Sequence, residues 1–167
     1  MAKWVFDVAT WTPTAVADTA NFTDNGYMGL MGGSTTQMIN IIEVFVGGQA
    51  TSSAPTILLF SRDSTVQATP TALTTGQSNA ALHPSTAALA AAQVAFTAST
   101  TKPQRSATLA KLNLSYNAFG GIVKWLAKDG EEFSILGNTA SLGEASLSAY
   151  TGGTPGLCGA HIVYEPL

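Results

Sequence analysis

Charged residues are scarce in this sequence. Lysine, arginine, aspartate and glutamate make up 10% of the 167 residues, whereas about 25% is usual for a globular protein. The 7 basic residues are outnumbered by 10 acidic ones, which leaves a net charge of −3. Nucleic-acid binding depends on a basic surface that neutralises phosphates. We therefore expect no nucleic-acid partner.

Residues suited to covalent or metal chemistry are also scarce. Cys158 is the only cysteine, so no intramolecular disulfide can form, and the histidines are His83 and His161. His161 and Glu165 are four residues apart, which on a strand is about 13 Å and too far for one metal ion. Cys158 and His161 are three apart, so a strand would place them on opposite faces. Motifs for phosphate, dinucleotide and hydrolase sites are absent, and we expect no enzyme activity, cofactor or metal.

Long apolar stretches are missing as well. No run approaches the ~18 uninterrupted apolar residues of a membrane-spanning helix. Asp7 interrupts the apolar residues near the N-terminus, which argues against a signal peptide. The sequence therefore predicts no membrane partner and a protein made in the cytoplasm.

Short strands between turn-rich loops are what the sequence does contain. The predicted strands are 3–9, 27–31, 36–46, 56–62, 93–99, 108–115, 122–128, 131–136, 143–150 and 158–165. One short helix is predicted near 84–92, because Ser85 or Thr86 could cap the alanine-rich run that follows. The pattern predicts an all-β protein with a β-sandwich fold, for which a jelly roll is the favoured topology. The number of strands does not fix their order.

Two segments invite more specific interpretations. Residues 36–46 have apolar side chains on both faces, which predicts a strand covered by the core on one side and by another layer or subunit on the other. Residues 66–82 form a long polar connection rich in Thr, Pro and Gln. Connections of this length without structure of their own are uncommon in compact domains and are often functional.

A β-hairpin is predicted around the dipeptide Asp129-Gly130, which favours a two-residue type I′ turn. In that register Lys128 pairs with Glu131, and Leu126 pairs with Phe133 on one face. The first pair joins opposite charges and the second joins two apolar side chains, so the predicted register is internally consistent.

The N-terminal segment contains the candidate protein-interface residues. We divide the chain into an N-terminal strand and arm at 1–26 and a single β-sandwich domain at 27–167. The aromatic side chains of the segment need apolar surroundings, which the domain itself, a neighbouring subunit or another protein could provide. If the arm makes the contact, deletion of 1–26 should abolish partner binding and leave a folded domain. The candidate interface residues are Trp4, Phe6, Trp11 and Phe22.

The last two fifths of the chain, about 103–167, contain four runs that carry a resemblance to a known protein family. The relevant runs are 118–125 (AFGGIVKW), 129–133 (DGEEF), 137–144 (GNTASLGE) and 164–167 (YEPL). In these the chain resembles the capsid decoration, or cement, proteins of tailed bacteriophages. The resemblance implies a β-sandwich, a homotrimer, the major capsid protein as partner, and neither catalysis nor cofactor. It also implies a place on the capsid surface of the virion, after synthesis in the host cytoplasm.

Two other functions fit the same composition and fold. A receptor- or carbohydrate-binding jelly-roll module of a phage fibre could use 66–82 and 100–106 as its ligand-binding loops. A jelly-roll capsid protein could instead build the shell itself. The first predicts binding to glycans or cells by the isolated protein, and the second predicts assembly into large particles without a partner.

Overall fold

A computed structural model describes residues 3–13, 27–66, 70–73, 79–84, 94–99, 104–105, 111–138, 142–150 and 155–167. These ranges are all-β, and they contain no helix. In particular, no helix long and apolar enough to cross a membrane occurs there. The strands are β1 (Trp4–Trp11), β2 (Tyr27–Met31), β3 (Met38–Gly48), β4 (Pro55–Thr65), β5 (Pro70–Ala72), β6 (Ala80–Ala81), β7 (Val94–Ser99), β8 (Gln104–Arg105), β9 (Lys111–Asn117), β10 (Ile122–Leu126), β11 (Phe133–Leu136), β12 (Glu144–Ala149) and β13 (Cys158–Pro166).

Two antiparallel sheets form the sandwich. Sheet 1 has the order β10-β3-β13-β1-β6, with β11 also on β3, and sheet 2 has the order β5-β7-β2-β12-β4-β8, with β9 also on β4. The principal pairs are nested, so that the first strand pairs with the last and the second with the last but one. Likewise β3 pairs with β10 and β11, and β4 pairs with β8 and β9. A long hairpin rolled up in this way is a jelly roll, and the predicted β-sandwich is confirmed.

The hydrophobic core lies between the two sheets. Strand β13 alternates between buried and half-buried residues along most of its length, as expected when one face of a strand packs on a core. The rings of Phe60 on β4 and Phe133 on β11 meet across the sandwich with centroids 4.9 Å apart. Beside them, Arg62 Nε donates a hydrogen bond of 2.8 Å to the carbonyl oxygen of Ser134. The two sheets are therefore joined by both apolar and polar contacts at this end.

A β-bulge accounts for part of the two-sided apolar pattern of β3. Opposite it, Val163 pairs with Glu43 and Tyr164 pairs with Ile41, which leaves Ile42 as the extra residue. The alternation of core-facing side chains along β3 therefore shifts by one residue at the bulge. Before it Ile39 and Ile41 face the core, and after it Val44 and Val46 do, and all four are fully buried. The outward side chains of β3 are partly exposed.

The predicted hairpin is wrong, although its turn exists. Strands β10 and β11 both pair with β3, one after the other, with Leu126 opposite Glu43 and Phe133 opposite Ile41. They form one edge strand that is interrupted by residues 127–132, which we call the excursion. Within it, the amide of Glu131 donates to the carbonyl of Lys128 at 2.9 Å. Only Gly130 of the two central residues has a positive φ, of 81°, which is a type II turn and not type I′.

The N-terminal strand is an integral part of the sandwich. Strand β1 lies between β13 and β6 in sheet 1, so deletion of 1–26 would remove a paired strand and part of the core. The expectation that this deletion leaves a folded domain therefore does not fit the fold. Residues 14–26 lie outside the described ranges, and the domain boundary at residue 26 stays a prediction. The predicted helix near 84–92 also lies outside the described ranges, except for Pro84, which lies in a turn.

Candidate interaction surface

The aromatic residues predicted as an interface are distributed between the core and its margin. Phe6 and Trp11 are buried in the hydrophobic core, and Trp4 is half-buried and packs against it. The ring of Phe6 lies 6.5 Å from that of Tyr164 on the neighbouring strand. Phe22 is outside the described residues. The domain itself therefore buries most of the surface of Phe6 and Trp11, and sequence reasoning alone left this alternative open.

A different set of apolar side chains is exposed along one border of sheet 1. Their exposed fractions range from 40% for Met38 to 71% for Ile122. We call them the apolar strip: Met38, Ile122, Leu126, Leu136 and Leu167. Exposed apolar surface of this kind commonly marks a site that binds another molecule.

The geometry of β3, β10 and β11 sets the positions of these side chains. Leu136 pairs with Met38 in the ladder, and the amide of Leu167 donates to the carbonyl of Met38 at 2.9 Å. Ile122 and Leu126 pair with β3 farther along, and they alternate with half-buried Val123 and Trp125. The paired part of β3 is about 30 Å long, at roughly 3.3 Å per residue. Sequence alternation could have identified Ile122 and Leu126 as outward residues, but it could not show that they stay uncovered.

A charged network lies beside the strip, on the outer face of sheet 1. Lys124 Nζ lies 2.9 Å from Glu43 Oε2, and His161 Nε2 lies 2.9 Å from Glu43 Oε1. Burial raises the pKa of Glu43, but the hydrogen bonds from Lys124 and His161 outweigh it and the pKa is lowered from its usual value. The ring of His161 also stacks on Phe45, with centroids 4.9 Å apart. The lysine and the glutamate thus neutralise each other within the chain.

The excursion adds an acidic element between the two halves of the strip. It contains Lys128, Asp129, Glu131 and Glu132, so one lysine and three carboxylates give a net charge of −2. All but Glu132 are exposed, and Glu132 Oε1 accepts a hydrogen bond of 3.1 Å from the amide of Gly130. The excursion leaves the edge strand after Leu126, and the chain pairs with β3 again at Phe133.

A shallow groove of about 380 Å³ lies on the same outer face, farther from the edge. Phe45, His161, Asp7 and Gln49 line it, and Gly159 is among its other lining residues. Gln49 Nε2 donates a hydrogen bond of 2.6 Å to the carbonyl of Ala9. A Cβ at Gly159 would lie 2.9 Å from that nitrogen, so glycine leaves room for the cross-link. The groove combines an aromatic surface with a carboxylate and an amide.

The residues considered for catalysis do not assemble into a site. Cys158 is buried, and burial raises the pKa of its thiol to about 11. It points into the core, whereas His161 lies on the outer face, as their spacing predicted. His83 is exposed. Within the described ranges, no group of three or more His, Cys, Asp or Glu side chains could hold a metal ion.

Sequence reasoning missed a buried acidic pair on sheet 2. Asp63 on β4 and Glu144 on β12 are fully buried, and their side chains are hydrogen-bonded to each other. Ser146 Oγ also donates a hydrogen bond of 2.7 Å to Asp63 Oδ2. Burial, and then the charge of Glu144, raises the pKa of Asp63 well above its usual value.

Comparisons with known proteins add little to this description. No family model matches the sequence, and no curated protein matches it. Among solved structures, a chain of "Structure of infectious bursal disease virus Gx strain" aligns with 98% of this chain at 10% identity and a TM-score of 0.17. This chain spans 41% of that chain's length. Because so low a TM-score carries no argument, the fold and the candidate surface rest on the residues described above.

Proposed function

We propose that this chain is a non-enzymatic structural protein of a phage virion, which binds and stabilises the outer surface of the assembled capsid. The apolar strip is the observation that carries the proposal, because it offers a protein-binding surface on a domain that is otherwise poor in charge. The resemblance of 103–167 to capsid decoration proteins agrees with this reading. The proposed partner is the major capsid protein, and the proposed form is a homotrimer at symmetric positions on the shell.

Stabilisation would follow from binding alone. A protein that binds the assembled shell and not its separated subunits shifts the equilibrium towards the shell by mass action. A trimer that contacts several capsid subunits at once would add avidity where its geometry matches the lattice. Neither effect requires a catalytic residue or a cofactor.

The direct test uses purified protein and undecorated shells built from the major capsid protein of the same genome. The native mass of the protein is measured first, and a value near three times 17.2 kDa is expected. The protein is then mixed with shells, and co-sedimentation and the melting temperature of the shell are recorded. We expect saturable binding and a higher melting temperature. Absence of binding would refute the proposal, and megadalton particles without shells would identify a shell-forming protein instead.

The groove on sheet 1 supports a second candidate function, that of a carbohydrate-binding module. An aromatic surface with a few convergent polar groups is typical of small-ligand sites. Phe45 provides the aromatic surface, and Asp7 and Gln49 provide the polar groups. Binding of the isolated protein to a glycan array, lost in Asp7→Asn, would favour this function. Absence of binding to every glycan on the array would favour the capsid-binding function.

A further inference from the structure

The apolar strip and the excursion together restrict the kind of surface that can bind here. Leu126 ends β10 and Leu136 ends β11, and the excursion emerges from the edge between these strands. A partner that covers the whole strip therefore also meets the excursion. Its three carboxylates and one lysine give this part of the surface a net negative charge.

The nearest other charges do not offset the excursion. Lys124 is the charged residue between Ile122 and Leu126, and its ammonium group is already paired with Glu43 at 2.9 Å. Across β3, Glu43 also contacts His161. This ion pair is therefore neutral, and the other described charges on this face are those of the excursion and of Glu165, a further carboxylate that pairs opposite Asn40 on β3. A partner with basic side chains at the matching position would gain favourable electrostatic contacts and faster association.

A second copy of the chain is a poor occupant of this surface. A two-fold contact places the same patch of both subunits face to face. If it covered the whole strip, its axis would pass near the excursion, which lies between the two ends of the strip. The carboxylates of Asp129 and Glu131 would then face their own copies, and like charges in contact oppose association.

We propose that the apolar strip docks on a different protein, whose matching surface is apolar and bordered by lysine or arginine side chains. This inference rests on the proposed function and specifies it further: the basic, apolar surface belongs to the assembled shell. The apolar contacts hold the complex together, and the excursion orients the protein and speeds its association. Subunit contacts within a trimer then use other surfaces of the domain.

The test compares four forms of the full-length chain for binding to the undecorated shells. They are the wild type, Ile122→Ser in the strip, the double variant Asp129→Asn/Glu131→Gln in the excursion, and Leu82→Ser as control. Leu82 is a matched control because it is 53% exposed and lies outside the strip. Glu132 is left unchanged, because it accepts the hydrogen bond from Gly130. Circular dichroism and native mass measurements check whether each variant is folded and whether it keeps its oligomeric state.

Ile122→Ser should weaken binding at least about tenfold, mainly through faster dissociation. The double variant should associate roughly three- to tenfold more slowly at low ionic strength and lose most of the salt dependence of the wild type. Leu82→Ser should bind like the wild type. The dependence on salt is measured from 50 to 500 mM sodium chloride.

The possible failures are distinguishable. If the wild type does not bind shells, both the proposed function and the docking surface are refuted. If it binds and Ile122→Ser binds equally well, the strip is not the docking surface, and the function stands. If Ile122→Ser weakens binding but the double variant associates like the wild type, the basic character of the partner is refuted. If Ile122→Ser lowers the native mass of the free protein, the strip joins copies of the chain, and the proposed partner is wrong.

Discussion

The outer faces of the two sheets differ in which side chains are exposed and which are buried. On sheet 1, large apolar side chains such as Ile122 and Leu126 are exposed. On sheet 2, between β4 and β12, five polar residues in the outward phase are buried, with exposed fractions of at most 1%. These buried residues are Ser61, Asp63, Glu144, Ser146 and Ser148. The polarity of an outward residue therefore does not decide its exposure, which depends on which parts of the sheet other segments of the chain cover.

Each face has a different energetic consequence. Buried polar groups are costly unless they are hydrogen-bonded, and Asp63 has Ser146 and Glu144 as partners. Exposed apolar groups have little effect on the stability of a monomer, but they favour association with other surfaces. We therefore expect substitutions on sheet 2 to change folding, and substitutions on the apolar strip to change binding.

The largest effect is expected where both sheets share the core. Phe60→Ala removes a fully buried ring that contacts Phe133 across the sandwich, and the cavity should lower the free energy of unfolding by about 3–5 kcal/mol. Phe119→Ala, at an exposed ring, should change it by less than about 0.5 kcal/mol. Urea unfolding followed by tryptophan fluorescence measures both. Equal losses in the two variants would contradict the assignment of core and surface.

The next effect concerns the buried polar face of sheet 2. Ser146→Ala removes the hydroxyl that donates to Asp63 Oδ2, and a buried acceptor without its donor should cost about 1–3 kcal/mol. Ser115→Ala is the matched control, because Ser115 also donates to a side-chain oxygen but is exposed. The same urea titration applies. An unchanged unfolding midpoint in Ser146→Ala would indicate that this face is accessible to water.

The acidic pair should make stability depend on pH. The pKa of Asp63 is raised in the folded protein above its usual value of 3.8, so the folded state holds a proton that the unfolded state releases. Stability should therefore be highest below that value and fall as the pH rises towards the folded-state pKa. The slope for one proton is about 1.4 kcal/mol per pH unit.

Asp63→Asn tests the predicted loss of stability with rising pH, because asparagine keeps the shape of the side chain without the ionisable group. Relative to the wild type, the variant should become more stable as the pH is raised from 4 to 8. Unfolding by urea at each pH measures the difference between the two proteins. A difference that is constant across this range would mean that Asp63 does not exchange a proton on folding.

The smallest effect on stability is expected at the apolar strip. Leu126→Ser alters a side chain that is 58% exposed, so the free energy of unfolding should change by less than about 0.5 kcal/mol. Binding of an apolar dye should nevertheless decrease, because the variant removes part of an exposed apolar surface. Leu58→Ser, at a fully buried position of β4, should instead destabilise the fold strongly. A large loss of stability in Leu126→Ser would show that the strip is covered in the native protein.

Much of the strand pattern could be predicted because alternation is a local signal. Strand β2 occurs at the predicted residues, and β7, β12 and β13 lie within one residue of the predicted ends. The turn at Gly130 was predicted from its dipeptide, but the pairing of the flanking strands was not. A turn sequence specifies a local change of direction, whereas the partner of each flanking strand is here the distant strand β3.

The candidate surface was harder to predict. Trp4, Phe6 and Trp11 were marked as interface residues because large aromatic side chains need apolar surroundings, and β13 and the core provide them for Phe6 and Trp11. The strip residues have ordinary alternation, and no local signal separates them from residues that another segment covers. The pair of Asp63 and Glu144 is separated by about half of the chain, so no spacing rule could join them.

Sequence patterns alone were enough to predict that this protein is all-β, that no disulfide forms within the chain, and where most of its strands lie. Alternation, composition and cysteine count carry this information, because each is a property of neighbouring residues or of the whole chain. Contacts between distant segments alone produce the nested strand order, the bulge at Ile42, the joint burial of Asp63 and Glu144, and the exposure of the strip. Burial and strand pairing arise from contacts between segments that are far apart in the chain. Local patterns of neighbouring residues therefore do not specify these features.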